Sequence, residues 1–347
     1  MSVSDNSSAY AASLAASSAT LSSPTASALI YTTADNAAAL AALDAERPLD
    51  PDTLRFIDQQ LIGDTHQEVY YKGWADIEYV DKKLKPRLIV VSTFRLYVLK
   101  PGALGGLGIR QSFPLAHLRA VAPGTVPSAA GLRQVCLTFD DDAAVQKEFS
   151  LPLGNGGAIT LAHARVDVIL QAVLFATQSV RHGRPAVCTA ALTGPAASPS
   201  VAAWLAGFKP PCPDAQDGLL AAYLAECNRV GIAHRVSVLD YFMTCFQLDD
   251  GMFDFKAALA FLDGKDCTKD VLAIVSALKY SALFTTLVCV DIALGNNAAT
   301  ALATAFDVPT AFTKLVLVNC RISRPSMTAL GATLAVRRLC SLLECCN

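Results

Sequence analysis

The stretch FTKLVLVNCRI, residues 312–322, sets apolar side chains at Phe312, Leu315, Leu317, Cys320 and Ile322. Twenty-eight residues earlier, Phe284, Leu287, Cys289, Ile292 and Leu294 fill the same five places. The segments between keep the phase: Ile274, Leu302 and Leu330 are spaced by 28, as are Leu278, Phe306 and Leu334. A strand-plus-helix unit cannot bury its apolar face alone. A fixed period lets each unit bury that face on its neighbours.

These positions match the leucine-rich pattern L-x-x-L-x-L-x-x-N/C-x-L. One more step of 28 reaches Cys340, Leu343 and Cys345, which are expected to form a further strand in phase. The first rung is open. By phase its strand holds Leu259 and Phe261, whereas Phe253-Asp254-Phe255 is equally strand-like. The sequence ends inside a repeat with no polar capping unit. A longer chain, or a partner over the last apolar face, is therefore expected.

The 347 residues carry a net charge of -2, so no global basic field draws the chain to nucleic acid. Apolar residues make up 53% and charged residues 17%, which raises the question of a membrane span. The best stretch is 271–294, but Lys279 sits near its middle and Asp291 near its end. A central Lys costs about 2.5–3.5 kcal/mol to insert, so a helix running into a strand is the better reading. Of eleven Cys none forms a CxxC pair, and Cys136, Cys227, Cys245, Cys289 and Cys320 lie in apolar runs. This composition fits a reducing, cytoplasmic setting, with no metal or other cofactor expected.

Residues 1–50 are rich in Ala, Ser and Thr and read as a disordered tail. Residues 52–62 form an amphipathic helix. KGWADIEYV, RLIVVSTFRLYVLK, IRQSFPL, RQVCLTF and QKEFSL then read as strands separated by Gly, Pro and Asp. Residues 160–180 read as a helix with Val166, Ile169, Leu170, Val173 and Leu174 on one face. Antiparallel strands closed by one helix predict a small barrel over 51–182. A linker follows over 183–200, then a helical connector over 201–250. Within the connector, Leu220, Tyr223, Leu224 and Cys227 share a face and Gly231 is the stop. Repeats occupy 251–347.

This order of helix, barrel, helical connector and 28-residue repeats resembles the CARMIL family, the linkers of actin capping protein, Arp2/3 and myosin-I. KPRLIVVSTFRLYVLK is similar to the second and third barrel strands of that family, and DVLAIVSALKYSALFTTL to its first repeat helix and the next strand. The resemblance implies a multidomain α+β and α/β protein. Its barrel would be a pleckstrin-homology (PH) domain and its repeats the start of a leucine-rich-repeat solenoid. It implies a non-catalytic adaptor between an anionic phospholipid surface and cytoskeletal regulators, peripheral at the plasma membrane or cytoskeleton. The basic, Pro-containing tail motif by which the family binds capping protein is absent from these residues. The Trp typical of the last PH helix is also absent, with Phe175 in its place. A protein-only scaffold, with the barrel as a homodimer or docking unit, is the alternative, and an enzyme the second.

Lys72, Lys82, Lys83, Lys85, Arg87 and Arg95 form the candidate lipid-binding set. Lys72 followed by Lys85-Pro86-Arg87 looks like the phosphoinositide pattern of lipid-binding PH domains, in which Arg clamps phosphate bidentately. A solvated Lys-rich hairpin is the plainer reading. Val288, Val290, Val316 and Val318 are the candidate partner strip on the concave face of the repeats. GALGGLGIR lacks the G-x-G-x-x-G order and reads as a hairpin loop. Asp140-Asp141-Asp142 reads as a solvated turn. His117, after a barrel strand, and His163, in a helix, read as structural, and no catalytic constellation is present.

Overall fold

The structure is a computed structural model that describes residues 48–62, 67–78, 84–101, 106–123, 133–139, 157–163, 166–181, 187, 215–259, 268–278, 281–307 and 312–336. They fall into two compact units, one running up to Thr177 and the other holding the elements from residue 215 onward. The protein is mixed α+β. No described helix is long and apolar enough to cross a membrane. The expected turn at Asp140–Asp142, the strand QKEFSL, the linker at 183–200 (Val187 aside) and the strand at Cys340, Leu343 and Cys345 lie outside the described residues, as do Lys82 and Lys83.

The first unit opens with α1 (Pro51–Phe56), capped by the Asp50 carboxylate, which accepts from the Thr53 amide at 2.8 Å. A π-helical turn, Ile57–Ile62, continues it. Seven antiparallel strands follow: β1 (Val69–Glu78), β2 (Leu84–Ser92), β3 (Arg95–Pro101), β4 (Leu107–Pro114), β5 (Leu118–Pro123), β6 (Arg133–Phe139) and β7 (Ala158–His163). Their order is β4-β3-β2-β1-β7-β6-β5. Strands β4 and β5 lie at opposite edges, yet only the 3-10 turn Leu115–His117 joins them. So short a link forces the sheet to curl until its edges approach. Among the described residues no hydrogen-bonded ladder pairs the edges, so the sheet is curled but open rather than the closed barrel expected.

Strand alternation makes two cores. Tyr71, Ala75, Ile77, Ile89, Val91, Leu96, Val98 and Phe113 point inward, with α2 (Val166–Ser179) among them. Phe175 stands there edge-on to Tyr70, ring centroids 5.1 Å apart, so it does occupy a core position. Leu88, Val90, Tyr97 and Leu99 point outward and are covered by Ile57 and Leu61. The helix expected over 160–180 is shorter than read, because residues 160–163 belong to β7. Leu161 pairs with Ile77 on β1 and with Val135 on β6, and those ladders outweigh local helix preference. His163 therefore ends a strand, while His117 is buried in the 3-10 turn.

The second unit holds α3 (Ala215–Val230), α4 (Val236–Leu248), β8 (Met252–Asp254), the single turn α5 (Phe255–Ala258), α6 (Thr268–Leu278), β9 (Thr286–Val290), α7 (Gly295–Asp307), β10 (Lys314–Val318) and α8 (Arg324–Val336). Helix α3 stops at Gly231, whose φ of 70° suits a residue without Cβ. Its buried face is Leu219, Ala222, Tyr223, Glu226, Cys227 and Val230, which is rotated from the face expected. Leu220 and Leu224 are only half-buried.

Strands β8, β9 and β10 form one parallel sheet. Leu287 pairs with Leu315 and Cys289 with Leu317, the 28-residue offset read from the sequence. The Thr285 carbonyl accepts from the amides of Thr313 and Lys314 at 2.7 and 3.0 Å, and the Gly251 carbonyl from those of Thr285 and Thr286 at 2.8 and 3.0 Å. A Cβ at Gly251 would stand 3.0 Å from the Thr285 hydroxyl and 3.4 Å from the Leu283 carbonyl, so any larger residue would have to displace its neighbours slightly. Behind the sheet α6, α7 and α8 lie side by side, burying Ile274, Leu302, Leu330, Leu278, Phe306 and Leu334.

The first rung departs from the period: Phe253 pairs with Leu287, an offset of 34. The strand is thus Met252–Asp254, and the phase-based placement at Leu259 and Phe261 is corrected. Leu259 follows α5, and Phe261 lies outside the described residues. Packing favours this choice, because Phe253 meets the rings of Phe242, Phe255 and Phe284 at centroid distances of 5.4, 5.1 and 5.4 Å. Three paired strands are found among the described residues, which does not by itself show the solenoid expected.

Replacing Leu315 by Ala should cost about 2–5 kcal/mol of stability, read as a lower urea midpoint at unchanged m value. Replacing the outward-facing Val316 by Ala should cost under about 1 kcal/mol. Equal losses at the two positions would contradict the assignment of faces.

Candidate functional site

Strand parity divides the candidate cations. Ile89 and Val91 point inward on β2, so Lys85 and Arg87 share their face. Trp74 lies with the outer cluster on β1, so Lys72 is on the outer face, and Arg95 follows Tyr97 to that same side. Lys72 pairs with Val90 while Arg87 pairs with Ala75, three places apart on the ladder, about 10 Å. Arg95 is at the far end of β3 and donates to the Ser112 hydroxyl at 2.8 Å. The described members of the set therefore do not form one cluster.

A different cluster replaces it. Leu88 pairs with Leu99, so the next residues outward, Arg87 and Lys100, are neighbours across β2 and β3. Lys85, Arg87 and Lys100 share the inner-face parity at the end where the β1–β2 and β3–β4 hairpins turn. Lys100 is exposed, while Lys85 and Arg87 are half-buried. Lys100 was not among the sequence candidates. Its position thirteen residues after Arg87 shows proximity only once the ladder is known.

Val288 and Val316 are paired, and so are Val290 and Val318. The four valines are half-buried and stand on the face opposite the buried rows of Leu287, Cys289, Leu315 and Leu317. Asp254 pairs with Val288 and Met252 with Thr286, so 42%-exposed Met252 extends this face onto β8. At the strand ends Asp291 and Asn319 take left-handed backbone, φ 58° and 52°, which Asp and Asn tolerate. The Asn319 amide donates to the Asp291 carboxylate at 3.0 Å, and this bond, with Lys256 beside it, holds that carboxyl below its usual range. Cys320 fills the N/C place of the pattern, donating to the Cys289 carbonyl at 3.1 Å.

Buried charge concentrates behind α6. Arg229 pairs with Glu226 at 2.5 Å, both buried, and its guanidinium reaches the Ser276 hydroxyl at 3.4 Å. Arg235 pairs with Asp270 through both carboxylate oxygens, while its amide donates to the Tyr223 hydroxyl at 3.2 Å. Burial pushes the Tyr223 hydroxyl up, and pushes the Cys227 thiol up to about 12 against a hydrogen bond from Tyr223. A thiol held neutral in this way is a weak nucleophile. The cluster ties α3 and the start of α4 to α6.

Neither a family model nor a curated protein matches the sequence. Among solved structures, a crystal structure of human RhoA in complex with the DH/PH fragment of PDZRHOGEF is similar over 38% of this chain and 34% of that chain, at 15% identity and a TM-score of 0.23. The likeness thus spans about a third of that chain. At this TM-score it carries no argument.

The raised Cys227 pKa gives a signed expectation. Its contribution to stability is complete below the unfolded thiol value, about 8.5, and is lost as pH rises through about 12. Urea unfolding free energies should therefore fall above about pH 8.5. In Cys227→Ala the fall should be shallower, with the Tyr223 part remaining. Identical slopes in the two proteins would refute the assignment.

Proposed function

We propose that this protein is a non-catalytic, CARMIL-like adaptor. Its open antiparallel sheet with α2 acts as a PH-like module toward an anionic phospholipid surface. Its strand–helix units act as leucine-rich repeats that offer the valine strip to cytoskeletal regulators. The observation that carries this reading is the in-register pairing of β9 with β10 at a 28-residue offset. That pairing gathers Val288, Val290, Val316 and Val318 on one partly exposed face. Apolar strips of this kind suit protein docking. The convergence of Lys85, Arg87 and Lys100 supports the lipid arm, since each cation near an anionic surface adds about 1 kcal/mol. Such an adaptor would be cytoplasmic and peripheral at the plasma membrane or cytoskeleton.

The protein-only scaffold stays as the second reading. It is favoured by one observation, the division of Lys72 and Arg95 from Lys85 and Arg87 between the two faces of the sheet.

Sedimentation with phosphatidylserine-containing vesicles separates the two readings. The parent should pellet, the triple variant K85E/R87E/K100E should not, and K72E should behave like the parent. A parent that stays in the supernatant at low salt leaves the protein-only scaffold. For the other arm, purified Arp2/3 complex, myosin-I and capping protein are titrated against the parent and against V288D/V316D. Binding of one of these proteins by the parent, at least tenfold weaker in the variant, is expected. Binding of none of them would remove the cytoskeletal assignment.

A further inference from the structure

At the hairpin end that carries the cations, the outer face of the sheet holds large apolar side chains that are exposed among the described residues. Leu84 is 37% exposed and Ile109 is 51% exposed. Pro86 and Pro101 are exposed between them. Parity places all four on one side. Leu84 pairs with Glu78 and Pro86 with Asp76, Ile109 pairs with Leu99, and Pro101 pairs with Leu107 of the outer cluster.

The two prolines lie two residues beyond Leu88 and Leu99, where the β2–β3 ladder stops. Lacking N–H groups, they cannot extend it. The result is an apolar edge formed by β2, β3 and the start of β4, with Lys85, Arg87 and Lys100 on the opposite side of the same strand ends. Asp76 and Glu78 share the outer face on β1, so the edge is apolar on its β3–β4 side and acidic on its β1 side.

We infer that this edge is a bilayer wedge: Leu84, Pro86, Pro101 and Ile109 enter the interface of an anionic membrane while Lys85, Arg87 and Lys100 hold its headgroups. The inference deepens the lipid arm proposed above and rests on it. The pairing of chemistries favours a bilayer as the occupant. Apolar side chains beside cations, at the free end of two hairpins, match an apolar interior beneath an anionic surface. A purely electrostatic contact would leave the apolar edge without a use. The GALGGLGIR segment, read from sequence as a plain loop, contributes Leu107 and Ile109 to this edge.

The test uses the full chain and vesicles of phosphatidylcholine with phosphatidylserine. Ile109→Trp should show an emission difference from the parent that is quenched by brominated acyl chains. L84S/I109S should bind at least fivefold more weakly than the parent, and the deficit should persist in high salt, where charge attraction is screened. Gly106 has nothing within 4 Å of where a Cβ would sit, so Gly106→Glu adds a repelling charge without a steric demand on the fold. It should weaken binding to anionic vesicles and leave the thermal midpoint unchanged.

If the parent binds these vesicles while Ile109→Trp is unquenched and L84S/I109S binds equally well, the wedge is wrong and the lipid arm stands. If the parent does not bind at all, both fail. If L84S/I109S converts a dimer to a monomer by light scattering with vesicle binding unchanged, the edge joins two copies of this chain and the wedge is overturned.

Discussion

The carbonyl of Thr285 accepts two amides from the next rung, and the carbonyl of Gly251 accepts two from the rung of Thr285. Each strand of the second unit begins where the preceding one dictates, and every residue after that point is placed by the ladder. Because the step from β9 to β10 is 28 residues, Leu stacks on Leu, Val on Val, and Asn319 reaches Asp291. A slip of one residue would turn Val316 and Val318 into the core and set Leu315 and Leu317 facing outward. The buried rows, the valine strip and the spacing of α6, α7 and α8 all follow from that one constraint.

The first rung shows what happens when the constraint is relaxed. Between β8 and β9 the offset is 34, so the helix phase cannot simply extend backward. Aromatic packing takes its place. Phe253 is wedged among Phe242, Phe255 and Phe284, and Tyr223 meets Phe242 at 5.6 Å, which joins α3 and α4 to the sheet. One buried ion pair, Arg229–Glu226, and one half-buried pair, Arg235–Asp270, act at the same junction. Pairs of this kind add little net stability, but losing one partner strands a charge in the core. Arg235 and Asp270 therefore tie the start of α4 to α6.

Legibility in the sequence followed the range of the interactions involved. The 28-residue period was readable because both of its components, strand rows and helix faces, repeat locally. Strand β6 was readable from RQVCLTF. Strand β7 was hidden because residues 158–163 run almost directly into α2, and its pairing with β1 is made by residues more than eighty positions earlier. The set of cations was misassembled for a related reason. Spacing along a hairpin says nothing about which face a side chain takes: Lys72 pairs with outward-facing Val90, whereas Arg87 pairs with inward-facing Ala75. Only strand pairing brings Lys100 beside Arg87, a proximity that spacing along the chain does not encode.

The hairpin end of the first unit is shaped by the ladders that run into it. Leu84 and Ile109 are each held in a ladder, opposite Glu78 and Leu99, and their side chains stay exposed because the ladder fixes the face and not the cover. Pro86 and Pro101 lie just beyond the last β2–β3 pair, Leu88 with Leu99. With a net charge of -2 over 347 residues, no long-range field can supply affinity. Any affinity for a charged surface would be a local property, and the local groups on β2, β3 and β4 sit on strand ends held by their ladders and by the Ile57–Ile62 turn packed on the outer face.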